Sequence, residues 1–350
     1  MNETRSRSQV IDRALHVSTL LGCTVLAAFA SACRNPEPEI FPATLTDTFI
    51  QEPLRQADVL LVIDSSGSMQ EEQERLATNF QAFIQAFVDA RVDYHLGVIT
   101  TDLRNQEQAG RLHGDIRFIT PDTPDAAAVF ADNVKVGTNG SGLEMGLEAA
   151  ALALSEPLVS TYNAGFFRPD ASLSIVIFSD EDDMSPGSVD DYLNFFASLK
   201  GPRAYRDHTL MNVSAVVGEV PYGCEAEDGT GLASAGTRYV HAAEATQGVT
   251  ASICSGDFAP IVTALGLDLS GLREEFRLTR CPRPETLEVV VAGRLEPQGT
   301  AYVYRPERRS IVFEPGWVPG PEEFIRVSYE YYPDDQSGCP LDDSTPEVTP

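Results

Sequence analysis

The stretch VLLVIDSSGSM, residues 59–69, decides the fold class of this chain. Its five apolar residues, 59–63, are typical of a strand that is buried on both faces, as in a parallel sheet. Asp64, Ser66 and Ser68 then fall on the loop at the carboxyl end of that strand, where open α/β sheets bind their ligands. Carboxylate and hydroxyl oxygens are hard donors that suit a small cation such as Mg²⁺.

Strand and helix patterns alternate after this stretch. Helical apolar stripes occupy 70–90, 143–154, 189–199 and 238–246, and buried strand patterns occupy 94–100, 173–178 and 213–217. This alternation predicts a doubly wound α/β domain with a mostly parallel sheet. After residue 272 the pattern changes to short β-like runs between Pro and Gly turns, at 286–291, 300–304, 309–313 and 324–332. These runs predict a small all-β module.

The amino-terminal segment has the layout of an export signal. Arg5, Arg7 and Arg13 precede an apolar stretch, 17–30, and Ala30-Ser31-Ala32-Cys33 follows. This segment resembles a bacterial lipoprotein signal, which implies that Cys33 carries the lipid. Two alternatives stay open, namely a lipobox at Leu-Leu-Gly-Cys, 20–23, and a plain signal peptide that is cut near Ala32.

These patterns predict a protein of the cell envelope, outside the cytoplasm, whose membrane attachment is the lipid anchor. The side of the envelope that it faces stays open. The predicted parts are a signal peptide (1–32), a proline-rich linker (33–56), the α/β domain (57–271), the β module (272–333) and an acidic tail (334–350).

The net charge limits the classes of partner that the protein can bind, and the number of cysteines indicates its redox compartment. The formal charge of −27 argues against a nucleic-acid partner, which requires clustered Lys and Arg. With lipid on Cys33, four cysteines of the exported chain remain, an even number that suits an oxidising compartment. Three pairings are possible. We favour Cys224–Cys254 and Cys281–Cys339, because each bond then closes a loop within one predicted domain.

Two further segments complete the oxygen cluster. Thr138 lies in the glycine-rich turn before the second helix, and Asp180 follows the strand at 173–178. Here the chain resembles von Willebrand factor A domains over roughly residues 57–268. Their metal-ion-dependent adhesion site uses Asp-x-Ser-x-Ser, then Thr, then Asp, in this order. The cysteines, the β-rich end and the acidic run at 180–183 resemble a bacterial lipoprotein branch of that family.

The resemblance implies a role for each residue. Ser66 and Ser68 would bind the cation directly, Thr138 would contact it in the ligand-bound state, and Asp64 and Asp180 would act through water. The cation would be Mg²⁺, with Mn²⁺ or Ca²⁺ as alternatives. Because neutral hydroxyls leave the cation strongly electrophilic, an acidic side chain of a protein or peptide ligand could fill its open position.

Several alternatives stay open at this point. Ser141 could replace Thr138 as the third hydroxyl. The family commonly has Gly after the Asp that matches Asp180, whereas this chain has Glu181, Asp182 and Asp183. These acids could lower the electrophilicity of the cation, add Ca²⁺ ligands or form only a solvated helix entry. Asp64 and Ser66 could simply cap the next helix. Thr100-Thr101-Asp102 ends a neighbouring strand and could approach the site, but we interpret it as a turn.

Enzyme function is the weaker hypothesis. A Mg²⁺-dependent phosphatase of the haloacid-dehalogenase type has a second Asp where this chain has Ser66, so the general acid is missing. We therefore predict a binding protein rather than an enzyme. A structural envelope protein with a vestigial metal site is the third hypothesis.

Overall fold

The computed structural model describes residues 42–52, 54–205, 210–226 and 231–331. The predicted signal peptide, the lipidation site Cys33, the acidic tail and Cys339 lie outside the described residues. Within these ranges, none of the helices combines the length and the apolar character that are needed to cross a bilayer.

The described chain alternates strands and helices up to residue 270 and is then mainly β-structure. The helices are α1 (Gln70–Thr78), α2 (Phe80–Ala90), α3 (Ala126–Val134), α4 (Gly146–Ala153), α5 (Val189–Leu199), α6 (Thr237–Ala245) and α7 (Ala259–Ser270). The strands are β1 (Ala43–Ile50), β2 (Gln56–Ile63), β3 (Asp93–Thr100), β4 (Phe118–Ile119), β5 (Ser172–Ser179), β6 (Met211–Val217), β7 (Cys224–Glu225), β8 (Leu232–Ala233), β9 (Thr250–Ser252), β10 (Glu275–Arg277), β11 (Glu288–Val291), β12 (Arg294–Glu296), β13 (Tyr302–Arg305), β14 (Ser310–Phe313) and β15 (Phe324–Tyr331).

The central sheet confirms the predicted fold class. Its order is β4-β3-β2-β5-β6-β9, and all neighbouring strands are parallel except the edge pair β3–β4. Strand β2 is buried on both faces. Its odd-numbered residues Val59 and Leu61 belong to the hydrophobic core on the side of α1, α2, α3 and α7. Its even-numbered residues Leu60 and Val62 belong to the core on the side of α4, α5 and α6.

The helix predicted over 70–90 is wrong at one point. It is divided at Asn79 into α1 and α2. The Asn79 side-chain amide donates to the carbonyl of Arg75 at 2.8 Å, and the Asn79 backbone N–H donates to the carbonyl of Leu76 at 3.2 Å. Asparagine competes with main-chain hydrogen bonds in this way and so ends helices readily.

The linker predicted at 33–56 is also wrong in part, because residues 43–50 form β1. This strand pairs antiparallel with β15 along all eight residues, from Ala43–Tyr331 to Ile50–Phe324. It belongs to the sheet β1-β15-β11-β12, which packs with β10-β14-β13 around the core of the β module. The strand pattern was obscured because a charged residue, Asp47, occupies the most buried position.

Asp47 is buried because three donors satisfy its carboxylate. The Thr279 backbone N–H and the Tyr329 hydroxyl both donate to Oδ2, at 2.8 Å each, and the Thr279 hydroxyl donates to Oδ1 at 2.6 Å. The β module therefore consists of two chain segments, and the α/β domain is inserted between them. Gln51 secures the junction, since its side-chain amide donates to the carbonyls of Arg273 and Pro319.

Asp47→Ala should destabilise the β module. The change removes the acceptor of the buried Tyr329 hydroxyl and of two part-buried Thr279 donors, and we expect the free energy of unfolding to fall by about 1–3 kcal/mol. Trp317 is the only tryptophan of the chain and lies in this module, so its fluorescence during denaturant unfolding is the measurement. Thr48→Ala, at an exposed position of the same strand, is the control. Equal stability of the two variants would contradict a two-segment module.

Candidate metal centre

The predicted site residues lie at the carboxyl edge of the central sheet. Asp64 follows β2, Asp180 follows β5, and Thr101 and Asp102 follow β3. Strand β2 stands between β3 and β5, and the chain continues to β3 on one side and later to β5 on the other. This is the point at which the strand order reverses, where doubly wound sheets have their ligand crevice.

Asp64 fixes the loop that follows β2. Its side chain is 0% exposed. Oδ1 accepts a hydrogen bond from the backbone N–H of Ser66 at 2.7 Å, and Oδ2 accepts one from the hydroxyl of Ser179 at 2.6 Å. This loop places the hydroxyls of Ser66 and Ser68 3.1 Å apart, with Ser66 buried and Ser68 exposed. The carboxylate thus orients the loop, and the two hydroxyls form a pair of oxygen donors.

The glycine-rich turn lies against this loop. Gln73 of α1 joins them, because its side-chain amide donates to the carbonyls of Asp64 at 3.0 Å and Gly137 at 2.9 Å. The Gly140 N–H donates to the Ser65 carbonyl at 2.8 Å, and a Cβ at Gly140 would lie 2.1 Å from the Ser65 hydroxyl oxygen. Only glycine permits this close approach.

Thr138 and Ser141, the two candidates for the third hydroxyl, both belong to this turn. The carbonyl oxygen of Thr138 lies 3.9 Å from the position that a Cβ would take on Gly67. Asp102 holds the backbone of Ser141 in place, because its Oδ2 atom accepts a hydrogen bond from the Ser141 N–H at 3.1 Å. The Ser141 hydroxyl accepts the N–H of Leu143 at 3.1 Å. Asp102 is therefore more than part of a turn, because it positions the second loop of the site.

Asp180 is the second buried carboxylate that the sequence predicted. It is 8% exposed, and its Oδ1 atom has no hydrogen-bond partner within the described part of the chain. Asp180 and Ser68 line the same narrow cleft, together with Glu72 of α1. The negative charge of Asp180 contributes to raising the pKa of Asp64, Glu72 and Glu181, after the larger effect of burial in each case.

The acidic residues after Asp180 have different surroundings. Asp182 accepts the backbone N–H of Arg238 in the first turn of α6 at 2.9 Å. Asp183 accepts the N–H of Leu147 in the first turn of α4 at 3.3 Å and the Arg238 guanidinium at 3.0 Å. Both carboxylates therefore stabilise the amino termini of α6 and α4, and neither is bonded to α5, the next helix in the chain. Glu181 is half-buried, and burial raises its pKa.

Glu144 is a site residue that the sequence reasoning missed. It is 0% exposed and accepts a hydrogen bond from the Thr101 hydroxyl. Burial, and then the negative charge of Asp64, raise the pKa of Glu144 to about 8. Burial also raises the pKa of Asp64 to about 6, against the effect of its Ser179 and Ser66 hydrogen bonds. A carboxylate inside the apolar run Leu143–Leu147 was the available signal, because a buried acid requires a partner.

The site therefore contains buried carboxylates and neutral hydroxyls. Among the residues that the structure describes, no group of three or more His, Cys, Asp and Glu side chains has the arrangement of a metal site. The predicted ligand set is of a different kind from such a group, since three of its five members are hydroxyl residues.

The disulfide Cys224–Cys254, predicted from the sequence, is present beside the candidate site. The pairing Cys281–Cys339 stays a prediction.

Glu144→Gln should make the stability of the metal-free protein less dependent on pH. The folded-state pKa of about 8 exceeds the ordinary value of 4.5, so the protonated group stabilises the fold below pH 4.5. This stability is lost as the pH rises through 8. In EDTA we expect the free energy of unfolding of the variant to exceed that of wild type at pH 8.5 by on the order of 2 kcal/mol. Near pH 4.5 the two values should match.

Denaturant unfolding at the two pH values is the measurement. Glu244→Gln, an exposed position on α6, is the control and should follow wild type at both. A Glu144→Gln effect of the same size at both pH values would contradict the protonated state.

Known proteins resemble this chain distantly. No family model and no curated protein matches it. Among solved structures it is similar to two structures of proximal thread matrix protein 1 from the mussel byssus, with 14% identity over 66% and 65% of this chain and TM-scores of 0.39 and 0.35. It is also similar to a von Willebrand factor type A structure from Catenulispora acidiphila, with 11% identity over 83% of this chain and a TM-score of 0.37. The chain spans 51% and 48% of the mussel chains and 65% of the bacterial one.

Proposed function

We propose that the carboxyl edge of the central sheet binds a divalent cation, Mg²⁺ with Mn²⁺ or Ca²⁺ as alternatives. Ser66 and Ser68 would be its direct ligands, Thr138 would join when a ligand is bound, and Asp64 and Asp180 would act through water. The observation that carries this proposal is the Oδ1 atom of the buried Asp180, which has no hydrogen-bond partner among the described residues and lies in a cleft that Asp180 shares with Ser68. A buried carboxylate oxygen without a donor is costly, and a nearby cation removes that cost.

The donor set fits such a cation. Hydroxyl and carboxylate oxygens are the ligands that Mg²⁺ and Ca²⁺ prefer. Asp64 already accepts two hydrogen bonds, so its contribution is to hold the loop and to supply negative charge. When bound, the cation supplies a positive charge with an open position for an oxygen of another molecule.

The function that follows is the binding of a protein or peptide through this cation, as in the von Willebrand factor A domains that the chain resembles. An acidic side chain of the ligand is the group that suits the open position. We propose binding rather than catalysis, because Ser66 is a hydroxyl where the phosphatases considered above have a second carboxylate.

Removal of both serine hydroxyls should abolish cation binding. We expect calorimetric titration of the exported form with Mg²⁺, Mn²⁺ and Ca²⁺ to release or absorb heat. We also expect each bound cation to raise the melting temperature of the protein in thermal unfolding. Ser66→Ala with Ser68→Ala should remove both effects. Ser160→Ala with Ser198→Ala, at two exposed serines outside the site, is the matched control and should leave both unchanged. Identical titrations of the two double variants would refute the metal site.

We further propose that the protein is exported and anchored to a membrane through lipid on Cys33. The disulfide Cys224–Cys254 supports export, because disulfides persist mainly in oxidising compartments. The formal charge of −27 supports a protein partner over a nucleic acid.

Metabolic labelling with an alkyne fatty acid tests the anchor. In a bacterial host that processes lipoproteins, the wild-type chain should become labelled and partition with membranes. Cys33→Ser should abolish both, whereas Cys23→Ser, at the alternative lipobox, should change neither. Loss of label with Cys23→Ser alone would move the anchor to residue 23, and an unlabelled wild type would indicate a plain signal peptide.

A further inference from the structure

Arginine side chains are concentrated in two short segments of the β module. Residues 277–283 and 305–309 contain a single acidic residue, Glu307, although the whole chain has 52 Asp and Glu residues. The same two segments hold six of the 25 Lys and Arg residues of the chain. We name these six side chains the arginine patch, namely Arg277, Arg280, Arg283, Arg305, Arg308 and Arg309. A basic patch on so acidic a chain indicates an anionic partner at this surface.

The fold places two of these arginines on the same exposed face. Arg277 of β10 and Arg305 of β13 are both aligned with Ser310 of β14, the strand that lies between them. The next aligned pair, Phe276 and Ile311, belongs to the core of the β module. Because side chains alternate along a strand, Arg277 and Arg305 lie on the opposite, outer face, and both are exposed.

The described protein neutralises only part of the charge of the arginine patch. Arg283 pairs with Glu285 and Glu330, and Arg308 pairs with Glu275. The other members have no salt bridge within the described residues, namely Arg277, Arg280, Arg305 and Arg309. Several guanidinium groups of the patch are therefore available to anions from outside.

The arginine patch lies toward the end of the β module at which β1 begins. The Arg283 N–H donates to the Glu330 carbonyl at 2.8 Å, and Glu330 is aligned with Thr44, the second residue of β1. The turn between β13 and β14 is joined to the same segment, because the Leu278 N–H donates to the Arg309 carbonyl at 2.8 Å. Both arginine segments are thus close to the start of β1.

The start of β1 is also the part of the module that a lipid anchor would hold near a membrane. Cys33, the proposed lipidation site, precedes Ala43, the first residue of β1, by ten residues. Since a polypeptide spans at most about 3.6 Å per residue, a lipid on Cys33 keeps Ala43 within about 36 Å of the membrane surface. The arginine patch therefore stays within reach of the lipid headgroups.

We propose that the arginine patch binds the anionic phospholipid headgroups of the membrane to which Cys33 anchors the chain. Guanidinium groups form two parallel hydrogen bonds with phosphate oxygens, and the negative surface potential of an anionic membrane attracts basic side chains. The contact turns the β module toward the lipid and fixes the orientation of the anchored chain. This proposal rests on the lipid anchor given above, because the anchor keeps a membrane close to the patch.

The formal charge of −27 does not prevent this contact. At physiological ionic strength the Debye length is about 8 Å, so acidic groups on distant parts of the protein are largely screened from the membrane. The charges that lie closest to the headgroups decide the interaction, and at this surface they are arginines.

Vesicles of phosphatidylcholine, with and without an equal share of phosphatidylglycerol, are the probe. The exported chain without lipid, residues 34–350, is mixed with them in EDTA at physiological ionic strength, and the bound fraction is measured by sedimentation. We expect binding to the anionic vesicles only, and loss of that binding at high salt.

Three results would overturn the proposal. They are the absence of binding to either vesicle, equal binding to both, and binding that appears only after residues 334–350 are removed. The last result would assign the arginine patch to the acidic tail of the same chain instead of a membrane.

Paired variants test the residues. Arg277→Gln with Arg305→Gln should weaken binding to the anionic vesicles about tenfold or more. Arg91→Gln with Arg104→Gln, at two exposed arginines of the α/β domain, removes the same charge and should change binding less than about twofold. Arg277→Lys with Arg305→Lys keeps the charge and should retain most of the binding, and thermal unfolding checks that all variants fold. Equal losses in the two Gln pairs would overturn the proposal.

The use of the chain without lipid separates this surface from the anchor. Vesicle binding that depends on Arg277 and Arg305, together with an unlabelled Cys33 in the labelling experiment above, would refute the anchor and keep the lipid-binding surface. A labelled Cys33, together with vesicle binding that does not depend on the two arginines, would keep the anchor and refute the surface. EDTA excludes any contribution of a cation at the candidate metal centre.

Discussion

The candidate site depends on the hydrogen bonds that Asp64 accepts at the end of β2. One oxygen receives the N–H of Ser66 and the other receives the hydroxyl of Ser179, so one carboxylate ties its own loop to the neighbouring strand β5. The loop conformation brings the Ser66 and Ser68 hydroxyls together, and Gln73 attaches the glycine-rich turn to the same backbone. The carboxylate of Asp64 therefore holds together three segments that are distant in sequence, namely the loop after β2, the end of β5 and the glycine-rich turn.

The opposite end of β2 shows how a purely structural aspartate differs. Asp58 is also 0% exposed, but the Arg168 guanidinium lies 2.8 Å from it, and the Arg168 N–H donates to it at 2.6 Å. Burial raises the pKa of Asp58, and the Arg168 hydrogen bonds and charge oppose that effect. Among the described residues, only neutral groups donate to Asp64, and burial and the negative charge of Asp180 both raise its pKa. Uncompensated negative charge at the carboxyl edge favours the binding of a cation, whereas the charge of Asp58 at the amino edge is balanced by Arg168.

Much of this architecture could be predicted, because β2 and β5 are continuous apolar runs and the polar residues after them are conspicuous. Residues whose importance comes from distant contacts could not be predicted. Asp47 looks like a linker residue until Thr279 and Tyr329 are placed beside it. Glu144 stands in a helical apolar stripe, and only the fold brings it to Thr101 and Asp64. Sequence periodicity reports which face of an element is buried, but it does not report which polar groups meet there.

The α/β domain is inserted between two segments of the β module, and this insertion determines where the candidate site lies relative to that module. The chain enters β2 from the β module and returns to it after α7, where the Leu54 N–H donates to the Ser270 carbonyl at 3.1 Å. Both connections lie at the amino edge, so the β module is attached at the end of the sheet opposite to Asp64. The eight residues of β2 separate the two edges by roughly 25 Å. Cys33 precedes β1, which is a strand of that module. The candidate site at the carboxyl edge therefore lies on the opposite side of the α/β domain from the β module.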